Sequence, residues 1–125
     1  MPCIMEIEKL YELFVSTTGA CTDTRQIKKG SMFFALRGET FDGNTYAAKA
    51  LSEGCRYALI DDPRFAQTDG TILVTNVLET LQALANYHRS KFEGPVIAIT
   101  GTNGKTTTKE LISAVLSRQY KTHYT

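Results

Sequence analysis

The 125-residue chain has no tryptophan and only three prolines, three cysteines and two histidines. Cys3, Cys21 and Cys55 are odd in number and no two share a C-x-x-C spacing. Neither a disulfide framework nor a zinc site is expected, and the thiols read as small reduced groups. A dominant charge is also missing. Fourteen Lys and Arg against thirteen Asp and Glu leave a net charge of +1, too little to direct the chain to nucleic acid or to an anionic membrane. No apolar run nears the ~20 residues that cross a bilayer. The opening MPCIMEIEKLYELF carries acids within its apolar pattern and no basic leading region, so it does not read as a signal peptide. Internal repeats and low-complexity segments are absent as well. The expectation is a cytoplasmic protein with no nucleic-acid partner and no membrane insertion.

What is present is ordinary globular material: 42% hydrophobic and 22% charged residues, in a length that suits one core and not two full domains. Ile4, Ile7, Leu10, Tyr11 and Phe14 share a helical face over residues 4–15. A short segment, 20–25, leads through a polar turn to SMFFAL, residues 31–36, which reads as a buried strand. Residues 37–44 form a loop. Asn44 or Thr45 is placed to cap a helix that carries Tyr46, Ala47, Ala50 and Leu51 and closes at Gly54. Strands follow at 56–61 and 71–75, separated by the breaker Asp62-Pro63. Asn76 and Glu79 have capping-box spacing before a helix with Val77, Leu78, Leu81, Leu84, Ala85 and His88 at helical intervals. Glu93-Gly94-Pro95 interrupts the chain. PVIAIT, residues 95–100, has no alternation and reads as a strand buried on both faces. A sharp turn at 101–104 leads to a helix from Thr106 to about Arg118, with Leu111, Ile112, Val115 and Leu116 together, and residues 120–125 could begin another strand. The pattern is α/β, with a boundary near residue 93: one domain over 1–93, and the opening of a second over 94–125.

The chemistry concentrates in AITGTNGKTTTKEL, residues 98–111. A phosphate loop needs glycines that let backbone N–H groups converge, a helix start behind them, a lysine for the phosphates and a hydroxyl for Mg²⁺. Gly101 and Gly104 supply the turn, with Thr102 and Asn103 between them, Lys105 the charge and Thr106 the hydroxyl. Thr107 is as well explained by first-turn capping as by ligand contact. The full G-x-x-x-x-G-K-[ST] pattern is broken, because Ile99 stands where its first glycine belongs.

That short form, G-T-N-G-K-T-T-T, resembles the loop of the Mur ligases and also that of folylpolyglutamate synthases. The upstream residues separate the two. Asp23-Thr24-Arg25, then GSMFFALRG at 30–38, Phe41-Asp42-Gly43 and a helix ending at Gly54 are similar to the N-terminal domain of the Mur ligase family, which the synthases lack before the loop. The likeness covers essentially the whole chain. It implies an ATP-dependent amide ligase of peptidoglycan precursor synthesis, acting through an acyl phosphate, with ATP and Mg²⁺ as cofactors. Within the family the T-T-T-K-E-L, D-T-R and A-L-R-G-E runs most resemble the members that add D-alanyl-D-alanine, so the resemblance implies that step on the UDP-N-acetylmuramoyl-peptide precursor. Addition of the third amino acid is the alternative, and a non-catalytic UDP-sugar or nucleotide module is a further one.

The resemblance implies that Asp23, Thr24, Arg25, Asp42, Gly43 and Asn44 face the UDP end of the precursor. It also implies that Gly101, Thr102, Asn103, Gly104, Lys105, Thr106 and Thr107 hold ATP, with Lys105 and Thr106 catalytic and Thr106 the Mg²⁺ ligand. The residues alone leave other readings open. Asp23 and Arg25 could simply pair with each other, and Asp42-Gly43-Asn44 could be a turn and helix cap. Asn44 stands where His is common in the family. Phe33, Phe34, His88 and His123 read as structural. The residues after Lys105 leave no room for a second acidic metal ligand, an adenine pocket or the D-alanyl-D-alanine site. The expectation is therefore a portion of a larger ligase, inactive by itself.

Overall fold

A computed structural model describes residues 6–123, and the chain divides after Phe92 into two compact units. In the first, helix α1 (Ile7–Val15) precedes strands β1 (Ala20–Cys21) and β2 (Met32–Phe34). Helix α2 (Ala47–Ser52), strands β3 (Tyr57–Ile60) and β4 (Thr71–Leu73), and helix α3 (Val77–Ser90) complete it. The four strands form one parallel sheet in the order β1-β2-β3-β4. Cys21 lies beside Phe33, Phe33 beside Ala58, and Ala58 beside Thr71.

Because side chains alternate across a pleated sheet, the apolar runs of β2 and β3 build two cores at once. Met32, Phe34 and Leu59 point to one face and meet Leu10 of α1 and Val77 and Leu84 of α3. Phe33, Ala35, Ala58 and Ile60 point to the other and meet Ala47 and Ala50 of α2. Phe33 and Phe34 are thus core on opposite faces, both essentially inaccessible. A run buried on both sides is continuous rather than alternating, which is why SMFFAL and RYALID carry little periodicity. The alanines on α2 and β3 let the short helix lie close. Truncating Phe34 to alanine would cost about 3–5 kcal/mol.

Several expectations are corrected. The segment 20–25 contains β1, two residues long and set by its pairing to β2 rather than by its own composition. The helix near residue 45 is not capped by Asn44 or Thr45. Asp42 caps a 3-10 turn, Gly43–Tyr46, that runs into α2. On α3, Leu78 and Ala85 are exposed, so the inner stripe is Val77, Leu81 and Leu84. His88 instead meets the Tyr11 hydroxyl through Nδ1 at 3.0 Å. Asn76 does cap α3, its Oδ1 accepting from the Glu79 N–H at 3.0 Å.

In the second unit helix α4 spans Lys105–Leu116. PVIAIT is not a strand. It has no backbone hydrogen bond or ladder partner among the described residues, and Val96 and Ile97 are each 57% exposed. Apolar composition marks a segment that favours burial, but a strand exists only when a neighbour completes its hydrogen bonds. For the same reason 120–123 are not strand, and 124–125 lie outside the described residues, as do 4 and 5 of the first expected helix. Leu111 and Val115 of α4 are exposed, leaving only Ile112 and Leu116 of the expected face partly covered.

Candidate functional site

All four strands run in one direction, so their carboxyl ends share one edge of the sheet, the edge where open parallel sheets place their ligands. Three of the four connections there carry an aspartate turn, and the fourth, after β4, has Asn76 as the cap of α3. After β1, β2 and β3 the chain makes the same small turn. Asp23, Asp42 and Asp62 are extended, and each carboxylate accepts the N–H two residues on, from Arg25 at 2.9 Å, Asn44 at 3.0 Å and Arg64 at 3.0 Å. Such Asx turns satisfy a backbone donor that the sheet has left unpaired.

In two of the turns the arginine folds back on its own aspartate. Arg25 Nε and Nη2 donate to the Asp23 carboxylate at 3.0 and 2.8 Å, and Arg64 Nε and Nη2 donate to that of Asp62 at 3.1 and 2.7 Å. The paired guanidinium holds each carboxyl at a pKa of about 2. Asp23 and Arg25 therefore do form the local ion pair that their spacing allows. Thr24 sits in the turn between them, half-buried.

The turn after β2 is tied into the fold. Gly43 packs so closely that an added Cβ would lie 2.5 Å from the Leu36 carbonyl oxygen, and its N–H donates to that oxygen at 2.8 Å. Asn44 is fully buried. Its Nδ2 donates to Asp42 at 2.8 Å and to Asp61 at 2.9 Å, and its Oδ1 accepts the Asp61 N–H at 3.0 Å. Every side-chain hydrogen bond of Asn44 is directed inward, onto Asp42 and Asp61.

Asp61, at the end of β3, was not among the candidates. Its Oδ1 accepts from Asn44 and from Arg37 Nε and Nη2, at 3.1 and 2.8 Å, and its Oδ2 accepts the Val77 N–H at 3.1 Å. Burial pushes its pKa upward, but Asn44, the Val77 N–H and Arg37 together outweigh that and hold it below the usual carboxylate range. The signal was available: an acid directly after an apolar parallel strand, in RYALIDD, falls on the carboxyl edge of the sheet. The partner of that acid, Arg37, lies 24 residues away, and only the fold joins them.

The other candidates, Gly101 to Thr107, gather at the start of α4. Gly104 takes a left-handed conformation, φ 75°, and caps the helix without a side chain. The first helical bond runs from the Thr108 N–H to the Gly104 carbonyl at 2.9 Å, so the amides before it have no intrahelical acceptor. Lys105, Thr106 and Thr107 are exposed on this first turn. Open amides, a positive helix end, a lysine and a hydroxyl fit a nucleotide phosphate with its Mg²⁺. Among the described residues no three His, Cys, Asp or Glu side chains form a metal cluster, and no helix is long and apolar enough to cross a membrane.

Residues 17–90 match the model of the Mur ligase family, catalytic domain, and residues 99–125 that of the Mur ligase middle domain. The UDP-N-acetylmuramoyl-tripeptide–D-alanyl-D-alanine ligase of Synechocystis sp. is 40% identical over 98% of this chain and 27% of its own length. The UDP-N-acetylmuramoyl-L-alanyl-D-glutamate–2,6-diaminopimelate ligase of Geobacter metallireducens is 37% identical over 91% of the chain and 21% of its own. The crystal structure of MurF ligase from Thermotoga maritima in complex with ADP superposes with a TM-score of 0.68 at 28% identity, over 85% of this chain and 24% of that one. The chain thus spans about a quarter of the length of the relatives it matches. With a parallel sheet edged by Asx turns upstream and a glycine-capped phosphate loop downstream, both lying within stretches matched to one family, the chain belongs to the Mur ligases.

Proposed function

We propose that this chain forms the precursor-binding domain, residues 1–93, and the phosphate-loop start of the ATP-binding domain, residues 94–125, of a ligase that joins D-alanyl-D-alanine to a UDP-N-acetylmuramoyl-tripeptide. The observation that carries the reading is the 40% identity to a ligase of that name over 98% of the chain. It takes in the carboxyl-edge turns and the GTNGKT loop alike. Addition of the third amino acid stands beside it, supported by the 37% identity to a diaminopimelate ligase.

In this reading the carboxyl edge receives the UDP end of the precursor. Asp23, Thr24 and Arg25 after β1 and Asp42 after β2 offer acceptors, a hydroxyl and a guanidinium to the uridine and its diphosphate. Gly43 and Asn44 hold the second turn in place. The open amides of the Gly101–Thr107 loop and the charge of Lys105 bind the nucleotide phosphates, and the Thr106 hydroxyl is the chain's ligand for Mg²⁺. Bound MgATP would supply the phosphoryl group that activates the precursor carboxylate toward an amine. Lys105 and the loop amides neutralise charge and set position, which is most of what phosphoryl transfer asks of a protein. No described residue is assigned to D-alanyl-D-alanine.

Calorimetric titration with UDP, and separately with ATP and Mg²⁺, tests the reading. Binding of UDP that perturbs the backbone signals of residues 22–25, 36–44 and 61–64 supports it. Binding of ATP with none of UDP would put the self-contained nucleotide module in its place. Tighter binding of UDP-N-acetylmuramoyl-tripeptide than of the dipeptide would favour the D-alanyl-D-alanine step over the third-residue step.

A further inference from the structure

Three arginines pair with aspartates on the carboxyl edge, and one of them differs from the others. Arg25 and Arg64 each close onto an aspartate two residues away, and their side chains are 86% and 81% exposed. Their contacts among the described residues are local, to that aspartate and, for Arg64, to the ring of Phe65 beside it at 5.9 Å. Arg37 reaches across 24 residues to Asp61, whose side chain is only 10% exposed. Asp61 is itself fixed from three directions, by Asn44, by the first turn of α3 through the Val77 N–H, and by Arg37. The guanidinium thus rests on a carboxylate that the tertiary structure has immobilised.

That contact occupies one edge of the group. Nε and one N–H of Nη2 meet Asp61 Oδ1, and Asp42 Oδ1 lies 3.8 Å from Nε. Both N–H groups of Nη1 and the second on Nη2 have no partner among the described residues, and the side chain is 52% exposed. Arg37 follows β2, between the loops of β1 and β3 in the strand order, which puts it in the middle of the edge. A planar donor fork held from behind and open in front suits an anion with paired oxygens, and a group ordered beforehand loses less freedom on binding.

We infer that Arg37 is a further anion-binding residue of the carboxyl edge, held by Asp61 so that its open N–H groups meet the diphosphate of the UDP-linked precursor; this rests on the function proposed above. Asp61 is then a positioning residue that acts through Arg37. The role belongs to the diphosphate alone, so it separates phosphate binding from nucleoside binding.

The test titrates the chain and its Arg37→Gln, Arg37→Lys and Asp61→Asn variants with UDP and with uridine, following backbone signals. Arg37→Gln should weaken UDP about tenfold and leave uridine unchanged, with a thermal midpoint near that of the parent. Arg37→Lys, which keeps the charge without the fork, should fall between. Asp61→Asn should weaken UDP by roughly threefold and add nothing to Arg37→Gln in the double variant, as coupled partners do. UDP affinity unchanged in Arg37→Gln, while the parent binds UDP, overturns this inference and leaves the proposed function standing. Equal losses for UDP and uridine also overturn it, since they mark a general structural role. If the parent binds no UDP, the proposed function fails and the inference with it. Should Asp61→Asn not fold, the two Arg37 variants decide the matter.

Discussion

At the scale of single residues the glycines show two distinct constraints. At Gly104 there is space for a side chain, since a Cβ would meet nothing within 4 Å, but its φ of 75° is one that L-residues rarely adopt. At Gly43 an added methyl would press into the Leu36 backbone. Backbone cannot step aside as a flexible side chain can, so Gly43→Ala should lose about 2–3 kcal/mol of stability, read by chemical denaturation of the chain. A change below ~0.5 kcal/mol would mean that the loop after β2 is free to move. Both glycines were visible in the sequence as parts of motifs. Which of them is restricted by contact and which by dihedral was not, because contact depends on what the fold brings alongside.

At the scale of elements, capping and pairing decide what forms. Asn76 satisfies the Glu79 N–H at the start of α3, and Asn76→Ala should cost about 1 kcal/mol, measured as a shift in the denaturation midpoint. This cap was legible because it is local: its two residues are three apart. PVIAIT shows the opposite case. Its composition is that of a buried strand, yet among the described residues no neighbour supplies a ladder. Hydrogen exchange should separate the two situations. Amides 96–100 are expected to exchange near the rate of an open chain, and those of Ala58, Leu59 and Ile60 far more slowly. Equal protection in the two segments would show that 95–100 pairs after all.

At the scale of the whole molecule the carboxyl edge contributes to the response to acid, modestly where its pairs are open to solvent. Asp62, through its hydrogen bonds to Arg64, and Asp23, through those to Arg25, titrate near 2 in the folded chain, and Asp61 lies below its ordinary range. In the unfolded chain each would titrate near 3.9. Between those values the unfolded state binds more protons, so the stabilisation is complete above roughly pH 5 and drains away as pH falls from about 4 toward 2. Urea denaturation at pH 6, 4, 3 and 2.5 should show stability falling through that window, with a shallower fall in Asp62→Asn. A flat profile would show that the ion pairs of the edge do not persist in solution.

The sequence by itself determined the α/β class, the glycine-capped loop before α4, the apolar runs that became β2 and β3, and the family. Each depends on neighbours in the chain or on a motif of fixed spacing, and short-range physics writes such things directly into residue order. Tertiary structure alone decided that Asn44 would be buried against Asp61, that β1 would be a strand of only two residues, and that Arg37 would rest on a carboxylate 24 positions away. Those facts come from parallel pairing, which carries distant segments to one edge of a sheet, and no local pattern encodes which distant partner will arrive there.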